Sequence, residues 1–235
     1  MRKNSRKKNQ IRQISLSKNI CGNAYGSVLF ATGNTKVMCA ASVERSVPFH
    51  AENKGIGWLS ADYTLLPYST PQRKDKEFLK RDSRSVEIKR LIGRSLRGVI
   101  DLSKMQNYSI TVDCDVIQAD GGTRTAAITG GYIALNLAIN RMLEEKLIAE
   151  NPLIEKVAAV SVGYVNDELL VDLDFSEDSS ASVDMNIVMN SSYDLIEIQG
   201  TAEKHSYSLD QLNEMVTIAK PAIEELFKWQ DGVVD

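Results

Sequence analysis

The stretch DCDVIQADGGTRTAAITG, Asp113 to Gly130, decides how this chain is read. Its first half alternates polar and apolar residues with the period of a strand, and Gly121-Gly122 breaks the pattern. From Thr123 or Arg124 onward the residues fit a helix. A strand that passes through a glycine turn into a helix N-terminus makes a natural anion site. The first helical turn carries unpaired N–H groups and the positive end of the macrodipole. Asp120 is placed to cap the helix, the glycines allow a guest to approach closely, and Thr123 and Arg124 add side-chain donors. Arginine presents a planar fork that matches phosphate oxygens. The pattern is neither GxxxxGK followed by Ser or Thr nor GxGxxG, so it points to phosphate chemistry of another kind. Taken alone, a Gly-Gly before a helix is more often simply a turn.

Working outward, 235 residues suit one large domain with ample core, and the sequence predicts a single unit over 1–235. No apolar run is long enough for a bilayer, and the basic N-terminus has no apolar segment behind it, so neither membrane nor secretion is expected. Cys21, Cys39 and Cys114 are odd in number and lack CxxC spacing, which predicts buried free thiols in a reducing, cytoplasmic setting. The net charge of −3 gives no bulk argument for nucleic acid. Its distribution says more. Residues 1–18 carry seven basic side chains and no acid, residues 73–97 carry ten basic and four acidic, and residues 165–235 carry sixteen acidic and three basic. Such segregation favours a positive surface for a polyanion and, elsewhere, an acidic region able to hold a metal; a solvated face is the plain alternative.

Strand patterns run over Ala24–Thr32 and Thr35–Glu44 around a Gly33-Asn34 turn, then over Trp58–Leu66 after a loop at Ser46–Gly57. A long charged loop follows Pro67. Ser85–Ile100 reads as a helix with Ile88, Leu91, Ile92, Leu96 and Val99 on one face and Arg90, Arg94 and Arg97 as a basic stripe. Tyr108–Gln118 is the strand entering the opening motif, and its helix continues to about Leu147. Beyond Pro152 come two strand pairs, 157–165 with 168–175 about Asn166-Asp167, and 182–190 with 194–201. A last helix, capped by Ser208, runs to about Trp229. Sheet followed by helix occurs twice, which predicts a mixed α/β layered fold rather than a doubly wound parallel sheet.

Two further stretches bear chemistry. In SEDSSASVDMN, residues 176–186, Asp178 and Asp184 are six apart, and on one regular strand they would share a face. Two carboxylates can hold magnesium through oxygen ligands and water, and one with a raised pKa can act as a general acid. A solvent-facing polar strand explains the same residues, and Asp172 with Asp174 forms a similar pair. The basic side chains from Arg73 to Arg97 suit a ligand with several phosphates. His50 and His205 have neither metal-ligand spacing nor a nucleophile beside them.

Taken together, GNTKVMCAASVE (33–44), GWLSADYTLLP (57–67), EIKRLIGRSLRG (87–98), the opening block, EDSSASVDMN (177–186) and IQGTAE (198–203) closely resemble the ribonuclease PH family of phosphorolytic 3′→5′ exoribonucleases. The resemblance implies a ribonuclease-PH-type α/β fold, with two βαβα-like halves sharing one core, and a homo-hexameric ring, a trimer of dimers. It implies that inorganic phosphate, as co-substrate, attacks the terminal phosphodiester of RNA, chiefly at tRNA 3′ ends, and releases nucleoside diphosphates, reversibly. By similarity, phosphate lies on Arg84, Gly122, Thr123 and Arg124. Asp178 and Asp184 correspond to the catalytic carboxylates that hold Mg²⁺ (or Mn²⁺), with Asp184 as proton donor. Arg73, Lys76 and Arg97 correspond to RNA-binding positions. The chain departs from the family at Asn4 and Ser5, which replace Asp and Gly, at Tyr68 and Lys76, which replace arginines, and at Leu79 and Ser83, which replace glycines. The alternative is a non-catalytic RNA-binding subunit of an exosome-like ring, which has no need of the phosphate loop or the aspartates kept here.

Overall fold

The protein, a computed structural model, is described over residues 2, 5–75, 83–203 and 206–234. The first half contains β1 (Ile14–Lys18), β2 (Gly26–Thr32), β3 (Thr35–Glu44), the single turn α1 (Phe49–Glu52), β4 (Trp58–Leu65), α2 (Ser83–Arg97), β5 (Ser109–Gln118) and α3 (Thr123–Glu144). The second contains β6 (Val157–Val165), β7 (Glu168–Val171), the single turn α4 (Phe175–Asp178), β8 (Val183–Asn190), β9 (Leu195–Ala202) and α5 (Leu209–Val234).

The first sheet has the order β1-β2-β3-β5-β4 and the second β7-β6-β8-β9. Every pairing is antiparallel except β4 with β5, which run parallel because α2 crosses between them. In the second half the single turn α4 lies between β7 and β8. Strict alternation decides which face of the first sheet is covered. On β4, Leu59, Ala61, Tyr63 and Leu65 are buried; on β5, Ile110, Val112, Cys114 and Val116 are.

Helix α3 lies between the sheets, packing on β2 and β3 on one side and β6 on the other. Fifteen of its 22 residues are buried, so it is apolar all round rather than amphipathic. Gly130 lets it lie close: a Cβ there would stand 2.9 Å from the Phe30 Cβ and 3.0 Å from the Cys39 sulfur. The buried core is continuous from the first sheet through α2, α3 and α5 to the second sheet.

The hairpin expected at Asn166-Asp167 forms, both residues having positive φ. Ser208 caps α5 reciprocally: its hydroxyl accepts from the Gln211 N–H, and the Gln211 carboxamide accepts from the Ser208 N–H. Several boundaries differ: α2 spans Ser83–Arg97 where the sequence predicts 85–100, α3 stops at Glu144, short of Leu147, and α5 runs past Trp229 to Val234. The segment read as loop at 46–57 contains α1, and β7 ends at Val171 instead of running to 175, because Asp172 turns into the left-handed region at φ +54. Cys39 and Cys114 are buried, free and opposite each other on β3 and β5, whereas Cys21 is free but only partly buried, which corrects the expectation for that residue. Among the described residues no helix is long and apolar enough to cross a membrane.

The arginines of the basic N-terminal segment turn inward while Lys7, Lys8 and Lys18 stay exposed, which corrects one part of the charge reading. The backbone N–H, Nε and Nη2 of Arg12 all donate to the Asp172 carboxylate, at 2.6, 3.0 and 2.6 Å, with the two side chains only 3% and 5% exposed. Nη1 and Nη2 also donate to the carbonyls of Asp120 and Gly121. Arg2 grips Glu177 by two 2.7 Å bonds, and Arg2 and Arg6 both donate to the Asp172 carbonyl. Burial alone would raise the Asp172 pKa; the Arg12 charge and hydrogen bonds, with Arg6, outweigh it and hold the carboxyl below its usual value.

Breaking this pair leaves a buried charge unpaired, so Arg12→Ala is expected to lose about 3–5 kcal/mol in urea unfolding. Because the folded pKa of Asp172 is depressed, its contribution is present above the unfolded carboxylate pKa of about 4 and lost as pH falls through the lower folded value. Stability measured from pH 7 to pH 3 should therefore fall less steeply in Asp172→Asn than in the parent.

Candidate active site

The turn between β5 and α3 is built as the sequence predicts, with one change in who caps it. Gly121 and Gly122 both take positive φ, +73° and +63°, and Gly122 is itself the N-cap of α3, without a side-chain cap. Asp120 points elsewhere: one carboxylate oxygen accepts from Asn34 at 3.0 Å and the other from the Phe175 N–H at 3.4 Å. It therefore ties the turn to the start of α4 instead of capping α3. A Cβ on Gly121 would stand 2.6 Å from the Leu173 carbonyl oxygen and from the Asp174 carbonyl carbon. The turn and the second half touch backbone to backbone.

At the mouth of α3, Thr123 is buried and its hydroxyl accepts a 2.8 Å bond from the Tyr63 hydroxyl. That leaves the Thr123 hydroxyl proton for a guest. Burial raises the Tyr63 pKa, which keeps this tyrosine a donor at neutral pH. Nη1 of Arg124 donates to the Gln199 carboxamide oxygen at 2.6 Å, and Nη2 lies 3.4 Å from a Glu87 carboxylate oxygen. Arg84, in the first turn of α2, is exposed.

The aspartates meet, but not by the route expected. Asp178 is the last residue of α4, not a strand residue, and Asp184 lies on β8. Asp174 forms a capping box with Glu177, accepting from the Ser176 and Glu177 N–H groups while Glu177 accepts from the Asp174 N–H. That box and the grip of Arg2 on Glu177 fix the turn that presents Asp178. Asp172 and Asp174, a rival acidic pair in the sequence, are thus both engaged in holding the scaffold.

Asp178 is open to solvent at its surface yet walled in by surrounding protein, and Asp184 is half-buried. That enclosure raises both carboxyls. For Asp178 it outweighs the pull of Arg84, Arg124 and Arg12, and for Asp184 repulsion from Asp178 and Glu203 adds to it. Arg124, at the mouth of α3, thus acts on both carboxylates, and Arg84 acts on Asp178. Two neighbouring all-oxygen ligands that repel each other suit a hard divalent cation, whose charge would relieve that repulsion. Among the described residues no group of three or more His, Cys, Asp or Glu is arranged for a metal, so such an ion would take its other ligands from water and phosphate oxygens.

The basic residues divide. Arg73 is exposed in the loop after β4, 3.7 Å from Asp75 in a pair too solvated to hold it. Lys76 lies outside the described residues. The helical stripe is largely engaged: Arg94 makes two bonds to Glu197, and Arg97 donates to the Leu59 carbonyl at 2.9 Å while lying 5.3 Å from the centre of the Trp58 ring. Arg97 thus leans on β4 through one of its guanidinium nitrogens. His50 packs edge-on against the same Trp58, and His205 lies outside the described residues. Sequence reasoning missed Arg12 and Tyr63. Arg12 hides in a basic run, and Tyr63 is one alternating strand residue among several.

Models of the 3′ exoribonuclease family match residues 10–139 (domain 1) and 156–222 (domain 2). The chain belongs to that family. Ribonuclease PH of Prochlorococcus marinus (strain MIT 9313) is 50% identical over 220 residues, covering 94% of this chain and 90% of that protein. Ribonuclease PH of Crocosphaera subtropica (strain ATCC 51142 / BH68) is 47% identical over 230 residues, covering 98% and 96%. Among solved structures, rice (Oryza sativa) Rrp46 superposes with a TM-score of 0.81 at 20% identity over 100% of both chains. An Archaeoglobus fulgidus exosome with RNA bound to the active site gives 0.82 at 20% identity over 97% of this chain and 91% of that one. These two likenesses establish the ribonuclease-PH-type fold.

Gly121→Ala should destabilise the protein by about 1–3 kcal/mol, from the positive φ and the backbone contact with the 173–175 segment. Gly22→Ala, where a Cβ meets nothing within 4 Å, is the matched control. Urea midpoints for the pair check this.

Proposed function

We propose that this chain is a phosphorolytic 3′→5′ exoribonuclease of ribonuclease PH type, acting chiefly on tRNA 3′ ends. In this reading inorganic phosphate is the attacking reagent. It lies at the N-terminus of α3 on the N–H groups of Gly122 and Thr123, the Thr123 hydroxyl and the Arg124 guanidinium, with Arg84 as the second arginine. One observation carries the reading: Asp178 and Asp184, both with raised carboxyls, lie within the electrostatic reach of Arg124 in the first turn of α3, and Asp178 within that of Arg84.

Attack by an anion on an anionic diester needs screening and positioning more than a protein nucleophile. A phosphate oxygen bonds to the terminal phosphorus while the bond from phosphorus to the 3′ oxygen breaks. Asp184, whose carboxyl burial and repulsion from Asp178 push upward, is the proposed general acid: it gives its proton to the leaving 3′ oxygen and regains one from the bound hydrogen phosphate. The products are a nucleoside diphosphate and RNA shortened by one nucleotide. Mg²⁺ (or Mn²⁺), held mainly by Asp178 with Asp184 beside it, would neutralise charge on the phosphates of the substrates. Arg73 of the loop after β4 is a proposed RNA contact, as is Lys76 by its similarity to the family position. Arg97 is a further proposed contact, with one guanidinium nitrogen bonded to the Leu59 carbonyl. A homo-hexameric ring and a cytoplasmic location complete the proposal; the buried free thiols accord with a reducing compartment.

The test is to incubate the protein with short RNA, Mg²⁺ and phosphate. Nucleoside diphosphates should appear only when phosphate is present, and a chelator should stop their release. Nucleoside monophosphates formed without phosphate would make the protein a hydrolase. Asp184→Asn should slow turnover about 10²–10⁴-fold while leaving RNA binding near the parent value; light scattering reads the ring.

A further inference from the structure

One contact set at the site has no role in the reaction as described. β9 carries Glu197 and Gln199 two residues apart, on the same face. Glu197 holds Arg94 of α2, and Gln199 reaches the first turn of α3. The Gln199 carboxamide accepts from Arg124 at 2.6 Å through its oxygen and donates to Glu87 at 2.6 Å through its nitrogen. The other Glu87 oxygen lies 3.4 Å from Arg124, closing a ring of three side chains from α2, α3 and β9. We propose that Gln199, braced by Glu87, is a positioning residue that pre-orients Arg124 for inorganic phosphate; this rests on the function proposed above.

The chemistry of the ring is specific. Arg124 can only donate and ionised Glu87 can only accept, so the group between them must do both. A carboxamide does, and its two bonds also fix which end is oxygen. Arginine loses much rotamer freedom when it grips an anion. Holding one edge of the guanidinium beforehand removes part of that cost and leaves Nε–H and the remaining Nη hydrogens for phosphate. The brace comes from the second sheet: Gln199 pairs with Asn186 and Thr201 pairs with Asp184. The strand that steadies the phosphate arginine is therefore hydrogen-bonded to the strand that carries the proposed acid.

The experiment measures KM for phosphate and for RNA separately, with phosphate-induced thermal stabilisation as a binding readout that needs no turnover. Gln199→Ala is expected to raise the phosphate KM about ten-fold or more and to leave the RNA KM within about two-fold. Gln199→Glu should be impaired as well, because a carboxylate has no proton for Glu87. Combining it with Glu87→Gln puts the donor on the other side and should recover most of the phosphate affinity. Gln199→Met, of similar length, serves if the alanine variant fails to fold. A phosphate KM within two-fold of the parent in Gln199→Ala, an equal rise in both KM values, or no recovery in the swapped pair overturns the positioning role while the proposed function stands. A parent protein that neither is stabilised by phosphate nor releases diphosphates overturns both.

Discussion

The buried ion pair between Arg12 and Asp172 is the interaction on which the rest of the site depends. Its side chains are almost wholly removed from water, so the pair stands only because every charge is answered: three bonds to one carboxylate, and carbonyls for the remaining donors. Those carbonyls belong to Asp120 and Gly121, the turn that opens α3. The carboxylate belongs to the residue where β7 stops and the path toward α4 begins. One arginine thus fixes the glycine turn of the first half against the acidic segment of the second, at the place where charge is to be managed.

From that junction the placement of the other groups follows. Asp120 bonds across to Phe175, Gly121 touches the 173–174 backbone, and Arg2 with Arg6 secures Glu177, whose capping box shapes the turn ending at Asp178. Asp184 enters independently, on a central strand of the second sheet. The raised pKa values of the two aspartates are a consequence of this enclosure, and the arginines moderate it.

Much of the fold was legible because it is written in local periodicity. The alternation of β4 and β5, the glycine-broken entry to α3 and the Asn166-Asp167 hairpin all depend on neighbours in sequence. The anion-facing helix start was legible for the same reason. The roles of Asp120, Asp178 and Arg12 were not. Asp120 looks like a cap until Phe175 competes for it, and Asp178 seems to lie on Asp184's strand until Asp174 nucleates a helical turn. The basic run at the N-terminus reads as a surface until partners some 160 residues away draw its arginines inside. Long-range ion pairs leave no periodic trace, and a charge count cannot separate an internal clamp from an outward-facing patch.

The backbone contact at Gly121 has a consequence for the order in which the protein acquires its chemistry. A chain emerging from the ribosome completes the glycine turn and most of the first sheet long before residues 172–184 exist outside the tunnel. Until they do, Arg12 has no carboxylate, the turn has no neighbour across it, and Arg124 has no Gln199. A nascent chain therefore carries the anion-attracting helix start without the groups proposed to cut. An exonuclease made beside messenger and ribosomal RNA would gain from such an arrangement, since its machinery assembles only after most of its own translation is done.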